Sequence, residues 1–270
     1  MDTGTGFSDE LKTAKRAAEE ACDVMRRYRR DGFEVEQKGA RTDYVTEADR
    51  EAQEKVVGTV REEFPDDGFL AEEDDLKPDG SADEGRVWVI DPIDGTTNFV
   101  HGFPYYCVSV ALRVDGETRV GVVSAPALGE TYSAVRGEGA YVNDEPITVS
   151  DVTNLNDALV STGVYSWASE ETNEAQIRLV RELVETPVAF RFAGASALDY
   201  CQLAHGRFDA KLQVLAKPWD VEAGTLIVEE AGGEVRKRES VVDGFVEVVA
   251  SNGSLQEEFE AVLDRNVRGE

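Results

Sequence analysis

Apolar residues recur at every third or fourth position near the start of the chain, the pattern of one helix face. This spacing predicts a first helix over residues 8–30, with Ser8 as its N-cap. A second helix is predicted over residues 46–64, since Pro65 cannot continue it. The apolar positions of the first helix are Leu11, Ala14, Ala18, Ala21, Met25 and Tyr28.

The middle of the chain follows a different pattern, with short apolar stretches separated by turn residues. The segment "VWVID" at 87–91 is typical of a fully buried strand, and residues 105–149 predict an antiparallel meander with turns at "DGE", "ALGE" and "GEG". Beyond residue 150 the two patterns alternate. Strands are predicted near 158–162, 188–192 and 207–215, and helices near 171–184, 195–205, 219–231 and 253–265.

Helices and sheets in both parts of the chain indicate an α/β or α+β fold built in layers. No internal repeat or low-complexity linker divides the sequence. We therefore predict one domain over 1–270, with soft halves at 1–150, an α+β half, and 151–270, an α/β half.

Charge changes this picture more than any other property of the composition. The chain has 55 acidic and 28 basic residues, a formal net charge of −27, and only eight of the basic residues are lysine. An acidic, lysine-poor surface on an ordinary hydrophobic content predicts a protein adapted to high salt, where screening reduces self-repulsion. An ordinary acidic protein is the alternative. Neither favours nucleic acid as a partner, because no basic patch is visible.

The remaining composition points to a cytoplasmic protein with no membrane partner. No apolar run approaches the roughly 18 residues of a membrane span, and the acidic N-terminus does not resemble a signal peptide. Cys22, Cys107 and Cys201 are widely spaced in apolar stretches, so we expect reduced core residues. Both histidines, His101 and His205, are expected to be non-catalytic.

The segment "VIDPIDGTTNFVHGFP" at 89–104 carries the candidate chemistry. Asp91 and Asp94 follow an apolar strand, and burying carboxylates is costly unless they are paired or bind a cation. Gly95 allows close backbone approach, and the next residues can start a helix whose free N–H groups bind anions. Taken alone the motif is equally compatible with a turn capped by aspartates. Together with a phosphate, two or three such acids suffice for Mg²⁺.

Two longer segments resemble the signatures of the inositol monophosphatase family of metal-dependent phosphatases. They are "WVIDPIDGTTNFVHGFPYYCVSVAL" and "KPWDVEAGTLIVEEAGG", and "TDYVTEAD" and "FLAEED" resemble the family's upstream elements at the expected spacing. The resemblance covers most of the chain. It implies a layered αβαβα sandwich of the sugar-phosphatase type, two or three Mg²⁺ ions with Mn²⁺ as a possible substitute, lithium sensitivity, and a homodimer.

The resemblance also assigns metal ligands position by position. Glu72 matches the glutamate that binds the activating metal and orients the attacking water, although alone it would read as part of a solvated charge run. Asp91 matches the bridging aspartate, and Ile93 the residue that offers its carbonyl. Asp94 and Asp220 match the ligands of the second metal, and Asp220 could otherwise be a helix cap.

Further roles follow from the same resemblance. Thr96 matches the threonine that binds the water nucleophile, with Asp49 as its orienting partner, and the Gly95 and Thr96 amides would hold phosphate. Lys38 and Asp43 match a mobile loop near a weak third metal, although a solvated loop lysine is the simpler reading. The substrate-binding set implied is Asp94, Gly95, Thr96, Gly194, Ala195, Ser196, Gln213 and Asp220. For Gly194, Ala195 and Ser196 a small-residue helix start is the alternative.

The position of Gln213 leaves the substrate open. Inositol-specific members carry an acid seven residues before the "WD" aspartate, whereas this chain has glutamine there. A small phosphate ester, inositol 1-phosphate or fructose 1,6-bisphosphate, is the expected substrate. The alternatives are a 3′-phosphoadenosine 5′-phosphate phosphatase and a catalytically silent regulatory protein on the same fold.

Overall fold

The computed structural model places most of the chain in regular elements. It describes residues 6–37, 44–73, 84–164, 169–186 and 188–269. The helices are α1 (Ser8–Asp31), α2 (Glu47–Glu63), α3 (Thr96–His101), α4 (Glu170–Glu185), α5 (Ser196–Ala204), α6 (Pro218–Glu230) and α7 (Gln256–Leu263). The strands are β1 (Val35–Gln37), β2 (Tyr44–Thr46), β3 (Gly68–Ala71), β4 (Arg86–Asp94), β5 (Cys107–Val114), β6 (Glu117–Ala125), β7 (Glu130–Val135), β8 (Ala140–Val142), β9 (Glu145–Pro146), β10 (Leu159–Thr162), β11 (Ala189–Arg191), β12 (Ala210–Ala216), β13 (Glu234–Glu239) and β14 (Val246–Ser251).

The start of α1 corrects one detail of the sequence prediction. The N-cap position is Phe7, Ser8 is already helical, and no side-chain hydrogen bond caps this end. In α2 the cap is Thr46, whose hydroxyl accepts from the Ala48 N–H, while Asp49 accepts from the Thr46 N–H in return. This reciprocal capping box fixes both side chains at the start of the helix.

A seven-stranded sheet forms the first β layer, in the order β3-β4-β5-β6-β7-β8-β9. Only its first pair, β3 with β4, is parallel, so the predicted meander over 105–149 is antiparallel as expected. Helices α1 and α2 cover one face, where Met25, Val56 and Trp88 share a core. Helices α5 and α6 cover the other, where Val89, Leu198 and Ile227 share a second core.

A five-stranded sheet forms the second β layer, in the order β11-β10-β12-β14-β13. Its inner face contributes Val248 and Ala250 to the core beneath α5 and α6. Its outer face packs against α4 and α7 through Leu179, Leu212 and Phe259. Each helix pair buries an apolar face against a sheet, which gives five layers in the order αβαβα. The predicted fold class is confirmed.

The three cysteines are free and buried, as predicted. Burial raises the pKa of Cys22 from 9.0 to about 12, and it raises the pKa values of Cys107 and Cys201 as well. The thiolate forms are therefore disfavoured at neutral pH. No helix within the described ranges has the length and apolar character needed to cross a membrane.

The acidic surface leads to a prediction about salt. We expect the protein to lose secondary structure in dilute buffer and to regain it in KCl at about 1 M or above, where the Debye length falls to ~3 Å. The cause is repulsion among carboxylates that the net charge of −27 leaves without cationic partners. Circular dichroism across a KCl series measures this. Acidification toward the isoelectric point of about 4.4 should also restore structure at low salt, and equal melting temperatures in dilute and concentrated KCl would contradict the prediction.

Candidate active site

A β-bulge at the end of β4 places Asp91 and Asp94 on the same side of the sheet. In a regular strand, residues three apart point to opposite faces. Here Asp91 lies opposite Ser109 and Asp94 opposite Cys107, so three steps on β4 match two on β5. The extra residue reverses the alternation, and both carboxylates face the same way. Pro92 suits this position because it has no N–H to donate to the ladder.

Asp91 is a buried carboxylate in an unfavourable electrostatic environment. It is 2% exposed, and its Oδ1 atom has no hydrogen-bond partner among the described residues. Desolvation raises its pKa well above the usual value, and the nearby carboxylates of Glu72, Asp94 and Asp220 raise it further. A buried carboxylate with an unpaired oxygen and acidic neighbours is the arrangement expected of a cation ligand.

Asp94 is held in place by backbone amides from a distant part of the chain. Its Oδ1 accepts from the Ser196 N–H at 2.9 Å, and its Oδ2 accepts from the Ala197 N–H at 2.7 Å. The Cys107 thiol also donates to Oδ2, at 3.4 Å. Burial raises the pKa of Asp94, while the two amide donors oppose that shift. The carboxylate thus fixes the start of α5 against the end of β4.

Asp220 comes to the site at the first turn of α6, which begins at Pro218. It is the third residue of that helix, and its Oδ2 accepts from the Lys217 N–H at 2.8 Å. Burial raises its pKa from 3.8 to about 7, Asp94 adds to the shift, and Lys211 and Lys217 oppose it. Asp220 therefore stabilises the helix terminus and also adds a carboxylate to the group around Asp91.

These carboxylates suit a hard divalent cation. Oxygen donors are what Mg²⁺ requires, and a cation would offset the mutual repulsion that raises the pKa values of Asp91 and Asp220. The described acids are not gathered into a ready cluster of three around one point. Instead, carboxylate oxygens of Asp94 and Asp220 accept hydrogen bonds from backbone N–H groups. The orphaned Oδ1 of Asp91 is the observation that fits a metal best.

Glu72 and Thr96 lie close to β4 and its carboxyl end. The Glu72 N–H donates to the Ile90 carbonyl at 3.2 Å, which places Glu72 beside β4. The Thr96 hydroxyl lies 3.3 Å from Asp49 Oδ1 and 3.0 Å from the Ile93 carbonyl oxygen. It has one proton to share between these two acceptors. The other oxygen of Asp49 accepts from Thr46, so the buried Asp49 is rigidly placed beside Thr96.

Gly95 joins this motif to the segment around residue 194. Its φ is +89°, in the left-handed region that favours glycine, and a Cβ there would lie 3.0 Å from the Gly194 carbonyl oxygen and 3.1 Å from the Ala195 Cβ. Any larger residue would push the two segments apart. Gly95 is the N-cap of α3, which has only six residues. Gly194, Ala195 and Ser196 therefore lie beside Asp94, and their part in substrate binding stays a prediction.

Gln213 contacts the site through the side chain of Ser196. It is fully buried, and its Oε1 accepts from the Ser196 hydroxyl at 2.6 Å and from the Tyr200 hydroxyl at 3.0 Å. Its Nε2 donates to the Leu215 carbonyl at 3.2 Å. The geometry makes Gln213 a support for Ser196.

A cavity of about 450 Å³ opens beside these residues at the carboxyl ends of β10 and β11. Open α/β sheets bind their ligands at such ends. The described lining residues are Asp94, Thr162, Gly163, Val164, Phe192, Gly194, Ala195, Ser196, Asp199, Lys211 and Asp220.

Sequence reasoning missed two charged residues of this lining, Asp199 and Lys211. Lys211 and Gln213 lie two residues apart on one strand, so their side chains point to the same face of the sheet. This alternation was the one signal in the sequence that could have identified Lys211. Lys38 and Asp43 lie outside the described residues. His101 is exposed, and the His205 ring lies 3.3 Å from the Tyr132 hydroxyl, so neither belongs to this lining.

The raised pKa values predict how stability depends on pH without metal. A carboxyl with a folded-state pKa above its unfolded value stabilises the protein fully below the unfolded pKa, and this contribution is lost as pH rises through the folded pKa. For Asp220 that window runs from 3.8 to about 7. In EDTA and high KCl we expect the melting temperature to fall as the pH rises from about 4 to about 7. Excess Mg²⁺ should remove most of the fall.

A matched pair of variants isolates this effect from the general charge of the surface. Asp220→Asn should reduce the slope of the pH profile in EDTA, because one of the site carboxyls with a raised pKa is gone. Glu145→Gln makes the same change of charge at an exposed position in β9 and should leave the slope intact. Equal slopes in both variants would show that the site carboxyl does not drive the pH dependence.

Comparison with known proteins decides the family. The model of the inositol monophosphatase family matches residues 8–266. The chain belongs to that family. Among its relatives is the Nus factor SuhB of Pasteurella multocida, 40% identical over 227 residues, covering 83% of this chain and 84% of the relative. The fructose-1,6-bisphosphatase/inositol-1-monophosphatase of Thermotoga maritima is 38% identical over 239 residues, covering 86% and 87%.

A solved structure of another inositol monophosphatase family member has the same fold as this chain. An inositol monophosphatase of Thermotoga maritima superposes with a TM-score of 0.84 at 34% identity, covering 97% of this chain and 99% of the other. The layered fold and the family resemblance predicted from the sequence are both confirmed.

Proposed function

We propose that this protein is a Mg²⁺-dependent phosphatase that hydrolyses the phosphate monoester of inositol 1-phosphate, fructose 1,6-bisphosphate or both. The observation that carries the proposal is the buried, unpartnered Oδ1 of Asp91, surrounded by Glu72, Asp94 and Asp220. The family membership and the printed activities of the Thermotoga relatives support it.

The proposed mechanism divides the work among these side chains. A divalent cation held by Glu72, Asp91, Asp94, Asp220 and the Ile93 carbonyl would supply Lewis-acid activation of water and neutralise phosphate charge. Glu72 and Thr96 would orient the attacking water. Asp49 fixes Thr96, since its own carboxylate is locked by the start of α2. The Gly95 and Thr96 N–H groups would bind the phosphate oxygens.

The leaving group would occupy the cavity beyond Asp94. Ser196 lines it, and the hydrogen bond to Gln213 fixes the rotation of the Ser196 hydroxyl. Because the structure shows no charged side chain at position 213, we propose broad rather than strictly inositol-specific turnover. Mn²⁺ is the proposed substitute metal. A cytoplasmic homodimer without nucleic-acid or membrane partners completes the proposal.

Two alternatives remain testable. A 3′-phosphoadenosine 5′-phosphate phosphatase would prefer the adenosine substrate over sugar phosphates. A catalytically silent regulatory protein is the other, and the relative named as a Nus factor gives it a specific basis. The presence of Glu72, Asp91, Asp94 and Asp220 favours catalysis, because a silent protein has no need to keep the like charges of Asp91 and Asp94 buried.

A phosphate-release panel in high KCl tests the proposal. Inositol 1-phosphate and fructose 1,6-bisphosphate should be hydrolysed with Mg²⁺ and not in EDTA, and LiCl should inhibit where equal KCl does not. Faster turnover of 3′-phosphoadenosine 5′-phosphate would favour the first alternative. No metal-dependent release from any of the three substrates would favour the second.

A further inference from the structure

A buried ion pair forms part of the cavity wall. Lys211 and Asp199 are 2% and 1% exposed, and the Lys211 Nζ lies 2.6 Å from Asp199 Oδ2. Both line the cavity together with Ser196 and Asp94. An ion pair taken out of water on both sides is not favourable by default, so its presence beside a ligand cavity calls for a reason.

The hydrogen bonds of this pair leave donor and acceptor capacity unused. Lys211 Nζ has two described hydrogen-bond partners, Asp199 and, at 3.5 Å, the Ser161 hydroxyl, and it lies 5.9 Å from the centroid of the Tyr200 ring, whereas an ammonium group has three N–H donors. Asp199 Oδ1 accepts from the Tyr105 hydroxyl at 2.8 Å, and Oδ2 accepts from Ser161 at 2.5 Å as well as from Lys211. An oxygen with one donor keeps a second lone pair.

The orientation of the pair is set by elements that do not depend on a ligand. Lys211 lies on β12 opposite Ser161 of the parallel strand β10, and Asp199 projects from the first turn of α5. Ser161 and Tyr105 hold the carboxylate from two directions. A donor and an acceptor are therefore presented at fixed positions, which is the preorganisation that specific recognition requires.

We propose that Lys211, held by Asp199, is the specificity-determining residue of the leaving-group cavity and that it recognises a hydroxyl of a polyol or sugar. This rests on the phosphatase function proposed above. A hydroxyl is complementary to the pair because it accepts from the ammonium group and donates to the carboxylate at the same time. The exposed apolar walls of Val164 and Phe192 are available to the carbon face of such a ring.

The alternative position for this role was Gln213, two residues further along β12. Its side-chain oxygen already accepts from Ser196 and Tyr200, and the described lining of the cavity does not include it. A site built to hydrogen-bond a substrate hydroxyl discriminates strongly against an analogue that lacks it. Selection by hydroxyl groups therefore belongs to Lys211 rather than to Gln213.

A ring-matched pair of substrates tests this proposal. Inositol 1-phosphate and cyclohexyl phosphate share a six-membered carbon ring, but only the first has ring hydroxyls. In Lys211→Met the ratio of kcat/KM for inositol 1-phosphate over cyclohexyl phosphate should fall about 10- to 100-fold, the range for a hydrogen bond from a charged donor. The ratio does not depend on the fraction of folded enzyme. Inhibition by inorganic phosphate should keep its constant, since Lys211 is not assigned to the phosphate.

Two further variants separate recognition from structure. Lys12→Met makes the same substitution in an exposed ion pair with Asp9 on α1, outside the described cavity lining, so its ratio should stay within about twofold of the wild type. The double variant Lys211→Met/Asp199→Asn also removes the Asp199 charge, which the single variant leaves buried and without its cationic partner. It replaces Lys211→Met if that single variant does not fold. If the wild type is active and the ratio of kcat/KM values is unchanged in the Lys211 variants, the assignment of Lys211 is wrong but the proposed function is not contradicted. A wild type that releases no phosphate from either ester, or from fructose 1,6-bisphosphate, overturns the proposed function as well.

Discussion

Asp91→Asn should abolish Mg²⁺-dependent phosphate release and, in EDTA, raise the melting temperature. The two effects have one cause. Asp91 is a buried carboxylate with a raised pKa and an unpartnered oxygen, so its charge destabilises the metal-free protein. Removing a buried charge that has no partner should increase the free energy of unfolding by about 1–3 kcal/mol. For a chain of this size that corresponds to a rise of several degrees in the melting temperature.

The expected loss of activity is large. A metal site contributes several kcal/mol to transition-state stabilisation, and each 1.4 kcal/mol is tenfold, so we expect about 10³-fold or more. Calorimetry with and without Mg²⁺ and a phosphate-release assay measure both effects on one preparation. Glu145→Gln, an exposed change of the same charge, serves as the control. Activity within tenfold of the wild type, or a lower melting temperature in EDTA, would contradict the assignment of Asp91.

Asp94→Asn should also lose phosphate release but should destabilise the protein. Both oxygens of Asp94 accept from backbone N–H groups, at Ser196 and Ala197, which lie 102 and 103 residues away in the chain. An asparagine must present its NH₂ to one of these donors. Leaving a buried N–H unsatisfied costs about 1–3 kcal/mol, so the melting temperature should fall by several degrees while the fold persists.

The opposite sign of the two stability effects makes the pair informative. Both substitutions remove one negative charge from the same side of β4, so a general charge effect would move both melting temperatures in one direction. Thermal unfolding of the two variants side by side in EDTA decides between the explanations. Equal shifts would refute the distinction between an orphaned and an amide-bound carboxylate, and near-normal activity of Asp94→Asn would remove it from the metal site.

The sequence by itself determined the elements and the family. Helical spacing located α1 and α2, turn residues located the meander, and the two long signature segments indicated the layered phosphatase fold. These features depend on near neighbours in the chain, where side-chain periodicity and turn chemistry are local properties. The cap of α1 was the detail this reasoning placed wrongly, because helix ends vary by a residue or two.

Only the tertiary structure decided which polar groups face one another. The bulge between Asp91 and Asp94 reverses a strand alternation that the sequence pattern alone would misread. The contact of the Ser196 and Ala197 N–H groups with Asp94 depends on how α5 is packed between two sheets. Such contacts join residues a hundred positions apart, and their geometry follows from the packing of whole layers rather than from any local preference.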